Sequence, residues 1–129
     1  MKLLLDTHFL QWIVTEPDQT TRRERALISR SDIVVSPVSI WEMRIKSEKH
    51  GRNRRRLDLP DPVKAMRFII DNEMNLVPLT GEECATPLDT PMAHHDPFDE
   101  LLLVHAQCLG ARLLTRDEKL IDHPLAISA

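Results

Sequence analysis

Cysteine is scarce in this chain. Cys84 and Cys108 are the only two among 129 residues and stand in unrelated contexts, which excludes a disulfide framework. Cys108 falls in an apolar helical pattern and is expected to be a core thiol. No apolar run reaches transmembrane length. The opening MKLLLDTHFLQWIV is interrupted by Asp6, Thr7, His8 and Gln11, and no small-residue cleavage site follows. It therefore does not read as a secretory leader, and the cytoplasm is the expected compartment, with no membrane partner. Internal repeats and low-complexity tracts are absent, and the nine prolines are dispersed. No Ser or His nucleophile has a supporting triad. His94-His95 lacks the Cys/His company of a transition-metal site, and the pair is expected to be two loop histidines.

What is present suits one globular α/β domain spanning residues 1–129. Apolar residues make up 42% of the chain, enough for a core, and charged residues 29%. The formal net charge of −3 does not announce a nucleic-acid binder, but the charge is uneven. Seven Lys or Arg face one acid, Glu48, between Arg44 and Arg56. Lys46, Lys49, Arg52, Arg54, Arg55 and Arg56 are candidates for contact with RNA phosphates or with an acidic protein segment; the plain alternative is a solvated loop.

Strand and helix patterns alternate. Lys2–Leu5 is a short buried strand ending at Asp6. Helical spacing follows from Thr7 to Val14 and again, with a thin apolar face, from Thr20 to Arg30. Ile33–Val35 is β-branched and reads as a second strand. A helix opens near Ser39 and runs to Lys49. Another spans Val63 to Asn72, with Ala65, Met66, Ile69 and Ile70 expected inward. Asn75–Leu79 is a third strand candidate, weakened by Pro78. A short helix at 81–85 and a loop at 86–95 precede the strongest helix, which Asp96-Pro97 opens and Gly110 ends. Arg112–Leu114 is a fourth strand, and Leu125–Ile127 a candidate fifth. The pattern predicts a mostly parallel sheet of four to five strands covered on both faces.

In such a sheet, ligand sites gather where the strands end and the next helices begin. Asp6 follows strand one, Glu42 lies in the first turn after strand two, Asp99 opens the helix after strand three, and Asp117 follows strand four. Four carboxylates distant in sequence are thus expected on one edge. Crowded carboxylates repel, so they must share a proton or a cation. A hard cation such as Mg2+ fits, since it binds through a few carboxylates and substrate phosphates. Water is then the expected nucleophile for phosphodiester hydrolysis. Each acid also has a structural reading. Ser39 and Glu42 match a capping box. Asp96 reads as the N-cap of its helix rather than as a ligand, and Asp117 can cap the turn at Glu118. Asp6 has no obvious cap partner. His8 is read first as structural, and Trp12 and Trp41 as core residues.

The segments LLLDTHFLQW, SPVSIWEMRIK, HHDPFDELLLVHAQ and LLTRDEKL resemble, in order and spacing, the signature segments of PIN-domain proteins, above all the toxin ribonucleases of VapBC-type pairs. The likeness runs from Lys2 to about Leu120. It implies a three-layer α/β/α sandwich, dependence on Mg2+ or Mn2+, endonucleolytic cutting of RNA, a cognate antitoxin and a homodimer. By position it assigns Asp6, Glu42, Asp99 and Asp117 to the family's four acids, and Thr115 to a hydroxyl residue near the fourth. Glu100 departs from the residue, often arginine, that relatives carry there. The alternatives are a structure-specific DNA nuclease of related fold and a non-catalytic module that binds RNA or protein.

Overall fold

A computed structural model describes residues 1–49 and 61–129. The basic positions Arg52, Arg54, Arg55 and Arg56 lie outside the described residues. Five strands, β1 (Lys2–Leu5), β2 (Asp32–Val35), β3 (Asn75–Leu76), β4 (Arg112–Leu114) and β5 (Ala126–Ile127), form one sheet in the order β3-β2-β1-β4-β5. Every pairing is parallel, so the sheet is wholly rather than mostly so. The helices are α1 (Thr7–Thr15), α2 (Arg22–Ser29), α3 (Pro37–Lys49), α4 (Pro62–Asp71), α5 (Gly81–Cys84) and α6 (Pro97–Leu109).

The period-two geometry of strands splits the apolar residues into two layers. Leu3, Leu5, Val35 and Leu114 face one way and pack with Phe9 and Leu10 of α1, Leu27 of α2, Met43 of α3 and Ala65 and Ile69 of α4. Leu4, Val34 and Leu113 face the other way, against Val38, Leu120 and Leu102, Leu103 and Ala106 of α6. Helices thus cover both faces, giving the α/β/α sandwich. A buried sheet explains why the strands read as continuous apolar runs.

Local chemistry sets the boundaries. Thr21 and Glu24 form a reciprocal capping box at α2, as do Thr80 and Glu83 at α5. Asp61 and Asp96 each cap a helix whose first residue is proline. Gly110, at φ 65°, ends α6 in the left-handed conformation that glycine adopts without strain.

Four expectations need correction. β3 is only two residues: Val77 still donates to the Val35 carbonyl at 3.0 Å, but Pro78 has no N–H with which to continue the ladder. Ile70 is 66% exposed, because Ala65 and Ile69 hold the inward stripe of α4 and the next residue turns about 100° away. Cys108 is exposed, on the side of α6 away from Leu102 and Ala106. Trp41 is 48% exposed and lies edge-on against Phe98 with ring centroids 5.2 Å apart, whereas Trp12 packs at the edge of the core.

Candidate functional site

The C-terminal edge of the sheet gathers acids from four elements. Asp6 is the first residue after β1 and is fixed on three sides. Its N–H donates to the Leu114 carbonyl at 3.1 Å, Oδ1 accepts from Thr7 N at 2.7 Å, and Oδ2 accepts from Thr115 Oγ1 at 2.8 Å. Asp6 is therefore the N-cap of α1, so the expectation that it lacked a cap partner was wrong. Thr115 Oγ1 also accepts from Asp117 N at 3.0 Å, so one hydroxyl links the exits of β1 and β4. Asp117 in turn caps its own turn, accepting from Lys119 N at 2.9 Å.

Glu42 does not sit where the sequence placed it. α3 begins at Pro37, and Ser36 caps it by accepting from Val38 N at 3.1 Å. Glu42 consequently lies in the second turn, and the proposed capping box with Ser39 does not form. Its carboxylate is buried and engaged at both ends: Oε1 accepts from Thr7 Oγ1 at 2.6 Å, and Oε2 pairs with Lys46. Ser39, also buried, lies 3.1 Å from the Thr7 hydroxyl.

Asp99 is buried in the first turn of α6. Asp96 accepts from the N–H groups of Phe98 and Asp99 at 2.9 and 3.3 Å, the capping role anticipated for it. Asp99 Oδ2 lies 3.0 Å from His94 Nε2. His94 Nδ1 is buried and has no partner among the described residues. Both histidines lie in the loop, as expected; His95 is exposed, whereas His94 in addition touches Asp99. The only signal in the sequence was its distance of five residues before Asp99.

The electrostatics show that the acids sense one another. Burial above all pushes the Asp6 carboxyl up to about 6, and the charge of Asp99 adds to it; the hydrogen bonds from Thr115 and Thr7 and the charge of His8 oppose it. Asp99 is raised by burial first and then by Asp96, Glu42 and Asp117, against the His94 hydrogen bond. Burial alone would lower Lys46, but Glu42, Asp96 and Asp99 raise it. The edge carries excess negative charge that Lys46 and His94 answer only in part.

Such a donor set fits a hard divalent cation by its chemistry. The donors are all carboxylate oxygens, and a cation would favour the ionised forms that burial opposes. Asp6 and Asp99 are the best placed to hold it, with Asp117 beside them. Glu42 is already engaged at both oxygens. Among the described residues no three His, Cys, Asp or Glu side chains stand together as a ready-made metal cage.

Arg116 is a second residue the sequence reading passed over. Its Nε donates to Glu24 Oε2 at 2.7 Å, and its NH2 donates to the Gln19 carbonyl at 2.6 Å and to Glu24 Oε1. The guanidinium lies 4.3 Å from the Trp12 ring centroid and 5.5 Å from that of Phe9. It ties the exit of β4 to α1 and α2, between Thr115 and Asp117.

Comparison with known proteins bears on the family and the fold. The chain is 28% identical over 123 residues to ribonuclease VapC22 of Mycobacterium tuberculosis (strain ATCC 25618 / H37Rv), a match covering 94% of this chain and 91% of the relative. Its fold superposes on a chain of the crystal structure of VapBC2 from Rickettsia felis bound to a DNA fragment from their promoter, with a TM-score of 0.60 at 16% identity, covering 100% of this chain and 98% of the other. A toxin–antitoxin complex from Klebsiella pneumoniae gives 0.59 at 14% identity, covering 97% and 95%. The PIN domain model matches residues 3–124, and the chain belongs to the PIN domain family.

Proposed function

We propose that this protein is a Mg2+-dependent endoribonuclease, with Mn2+ as an alternative ion, and that it is the toxin of a type II toxin–antitoxin pair. The observation that carries the reading is the meeting of Asp6 and Asp99, each raised above the ordinary carboxylate range, with Asp117 and the anchored Glu42 at one sheet edge. Likeness to a ribonuclease and to toxin–antitoxin structures supports it.

In this reading Asp6 and Asp99 hold the cation, and Asp117 and Glu42 complete the acidic pocket directly or through water. The cation, when bound, makes a water acidic enough to act as nucleophile and offsets charge on the leaving oxygen. The chain's own contribution is preorganisation. The Thr7 N–H and the Thr115 hydroxyl hold the two Asp6 oxygens, so that carboxylate cannot rotate freely. His94 orients Asp99, and Thr7 joins Asp6 to Glu42 across α1 and α3. RNA phosphate oxygens would be further hard donors for such a cation beside these carboxylates.

The partners proposed are a cognate antitoxin and a second copy of the chain, in the cytoplasm, with residues 1–129 acting as one PIN domain. Among the described residues no helix is long and apolar enough to cross a membrane. Lys46 and Lys49, with the arginines at 52 and 54–56, are proposed RNA or antitoxin contacts; Lys46 is already paired with Glu42. The deciding experiment is cleavage of RNA with Mg2+, with a chelator, and in Asp6→Asn and Asp99→Asn variants. Cleavage is expected with Mg2+ in the unaltered protein alone. Cleavage that survives chelation, or both substitutions, would reject the mechanism.

A further inference from the structure

Beside the acids lies a small hollow of about 220 Å3, lined by Asp6, His8, Trp12, Arg116 and Asp117. One side of it is carboxylate; the other side is two rings and a guanidinium. We propose that this hollow is a nucleobase subsite, which seats a base of single-stranded RNA next to the phosphodiester that the acids act upon. The inference rests on the ribonuclease reading above and names the substrate feature that the same site would recognise.

Three observations carry it. His8 and Trp12 are one helical turn apart on α1, with ring centroids 6.1 Å apart and planes tilted by 38°. His8 is exposed and has no hydrogen-bond or salt-bridge partner among the described residues. Trp12 is held by a T-shaped contact with Phe9, centroids 5.1 Å apart, and by the Arg116 guanidinium 4.3 Å from its centroid, so its ring is set in place.

Arg116 decides which part of a nucleotide the hollow suits. Its charge is matched by Glu24, and its Nε and Nη2 N–H groups go to Glu24 and the Gln19 carbonyl, while Nη1 has no partner among the described residues. An arginine whose charge is already matched is a weaker clamp for a phosphate; its guanidinium packs over the Trp12 ring, and Nη1 remains to hydrogen-bond a base edge. Flat aromatic and guanidinium surfaces are what proteins use to stack the unpaired bases of RNA. A base fits there, with its phosphate reaching toward the acids.

Trp12 supplies the readout. The chain has two tryptophans, so Trp41→Phe leaves Trp12 as the only indole. In that background, with Asp99→Asn to prevent cleavage, a single-stranded RNA oligonucleotide in Mg2+ is expected to change Trp12 emission saturably; Mg2+ alone and ribose 5-phosphate are not. In the cleaving protein, His8→Ala is expected to raise KM by roughly fivefold or more, with a smaller change in kcat. His8→Phe, which keeps a ring, should restore most of the loss, and both variants should shift the preferred base at the cut. RNA that binds without altering Trp12 emission, or a His8→Ala enzyme with unchanged KM and base preference, overturns the subsite while leaving the ribonuclease reading intact. If a DNA oligonucleotide or an acidic peptide changes the emission and RNA does not, the subsite assignment is wrong. Absence of both RNA binding and metal-dependent cleavage overturns the ribonuclease reading and the subsite with it.

Discussion

Asp6 and Glu24 are equally hidden from solvent, at 4% and 3% exposure, yet their acidities move in opposite directions. Glu24 receives Arg116 in a two-pronged hydrogen-bonded pair and falls below the usual carboxylate range; the Arg116 hydrogen bond is the largest cause. Asp6 is pushed up by burial above all and then by Asp99; a threonine hydroxyl, the charge of His8 and a backbone N–H offset this only in part, and it rises to about 6. Solvent exposure is alike in both, but Asp6 lies deeper in the protein and desolvation weighs more on it. The other difference is whether the fold supplies a cation of its own. Where it does, the acid is a structural joint; where it does not, the acid is left in want of a cation.

The largest test of that contrast is Asp6→Asn. It is expected to reduce RNA cleavage by roughly a hundredfold or more, measured as single-turnover rates. Without metal it should not lower the melting temperature, since it removes a charge that burial disfavours. The pH dependence follows from the same shift. The native state keeps the Asp6 proton to a higher pH than the unfolded chain, so metal-free stability should decline as pH rises from about 4 through about 6. Asp6→Asn should flatten that decline. Glu24 runs the other way: its stabilisation is present above its ordinary value of 4.5 and is lost as pH falls through its lowered native value. Urea titrations at a series of pH values in a chelator read both slopes.

Next in size is Arg116→Ala, which leaves the buried Glu24 carboxylate unmatched and should cost about 1–3 kcal/mol of stability. If that variant were as stable as the parent, the contrast between the two acids would lose its meaning. His94→Ala comes third, with about a tenfold loss of Mn2+ affinity in a calorimetric titration, partly recovered in His94→Gln. Smallest is Cys108→Ser, expected to change stability by less than about 0.5 kcal/mol, as befits an exposed position.

Much of this arrangement is legible in the linear chain. The apolar runs at Lys2–Leu5 and Arg112–Leu114 mark buried strands, and an acid or a threonine-acid pair at their ends marks the edge where the helices begin. Asp96-Pro97 and Gly110 bracket α6 because cap and stop are local chemistry. Partnerships between distant residues are not legible in the same way. Nothing near Glu24 announces Arg116, 92 positions away, and nothing near Asp6 announces Thr115. Ser39-x-x-Glu42 carries the letters of a capping box, but Ser36-Pro37 starts the helix three residues earlier and turns Glu42 inward to Thr7. The outward turns of Ile70, Trp41 and Cys108 depend on helix phase, which a few apolar letters do not fix.

The Thr115 hydroxyl, bonded to Asp6 on one side and to the Asp117 N–H on the other, spans 109 positions of sequence. Synthesis runs from the amino end, so the Asp6 that leaves the ribosome early has no Thr115 to meet until nearly all of these residues have been made. A chain arrested anywhere before β4 has Asp6, Glu42 and Asp99 at most, and lacks the strand that sets Asp6 in register.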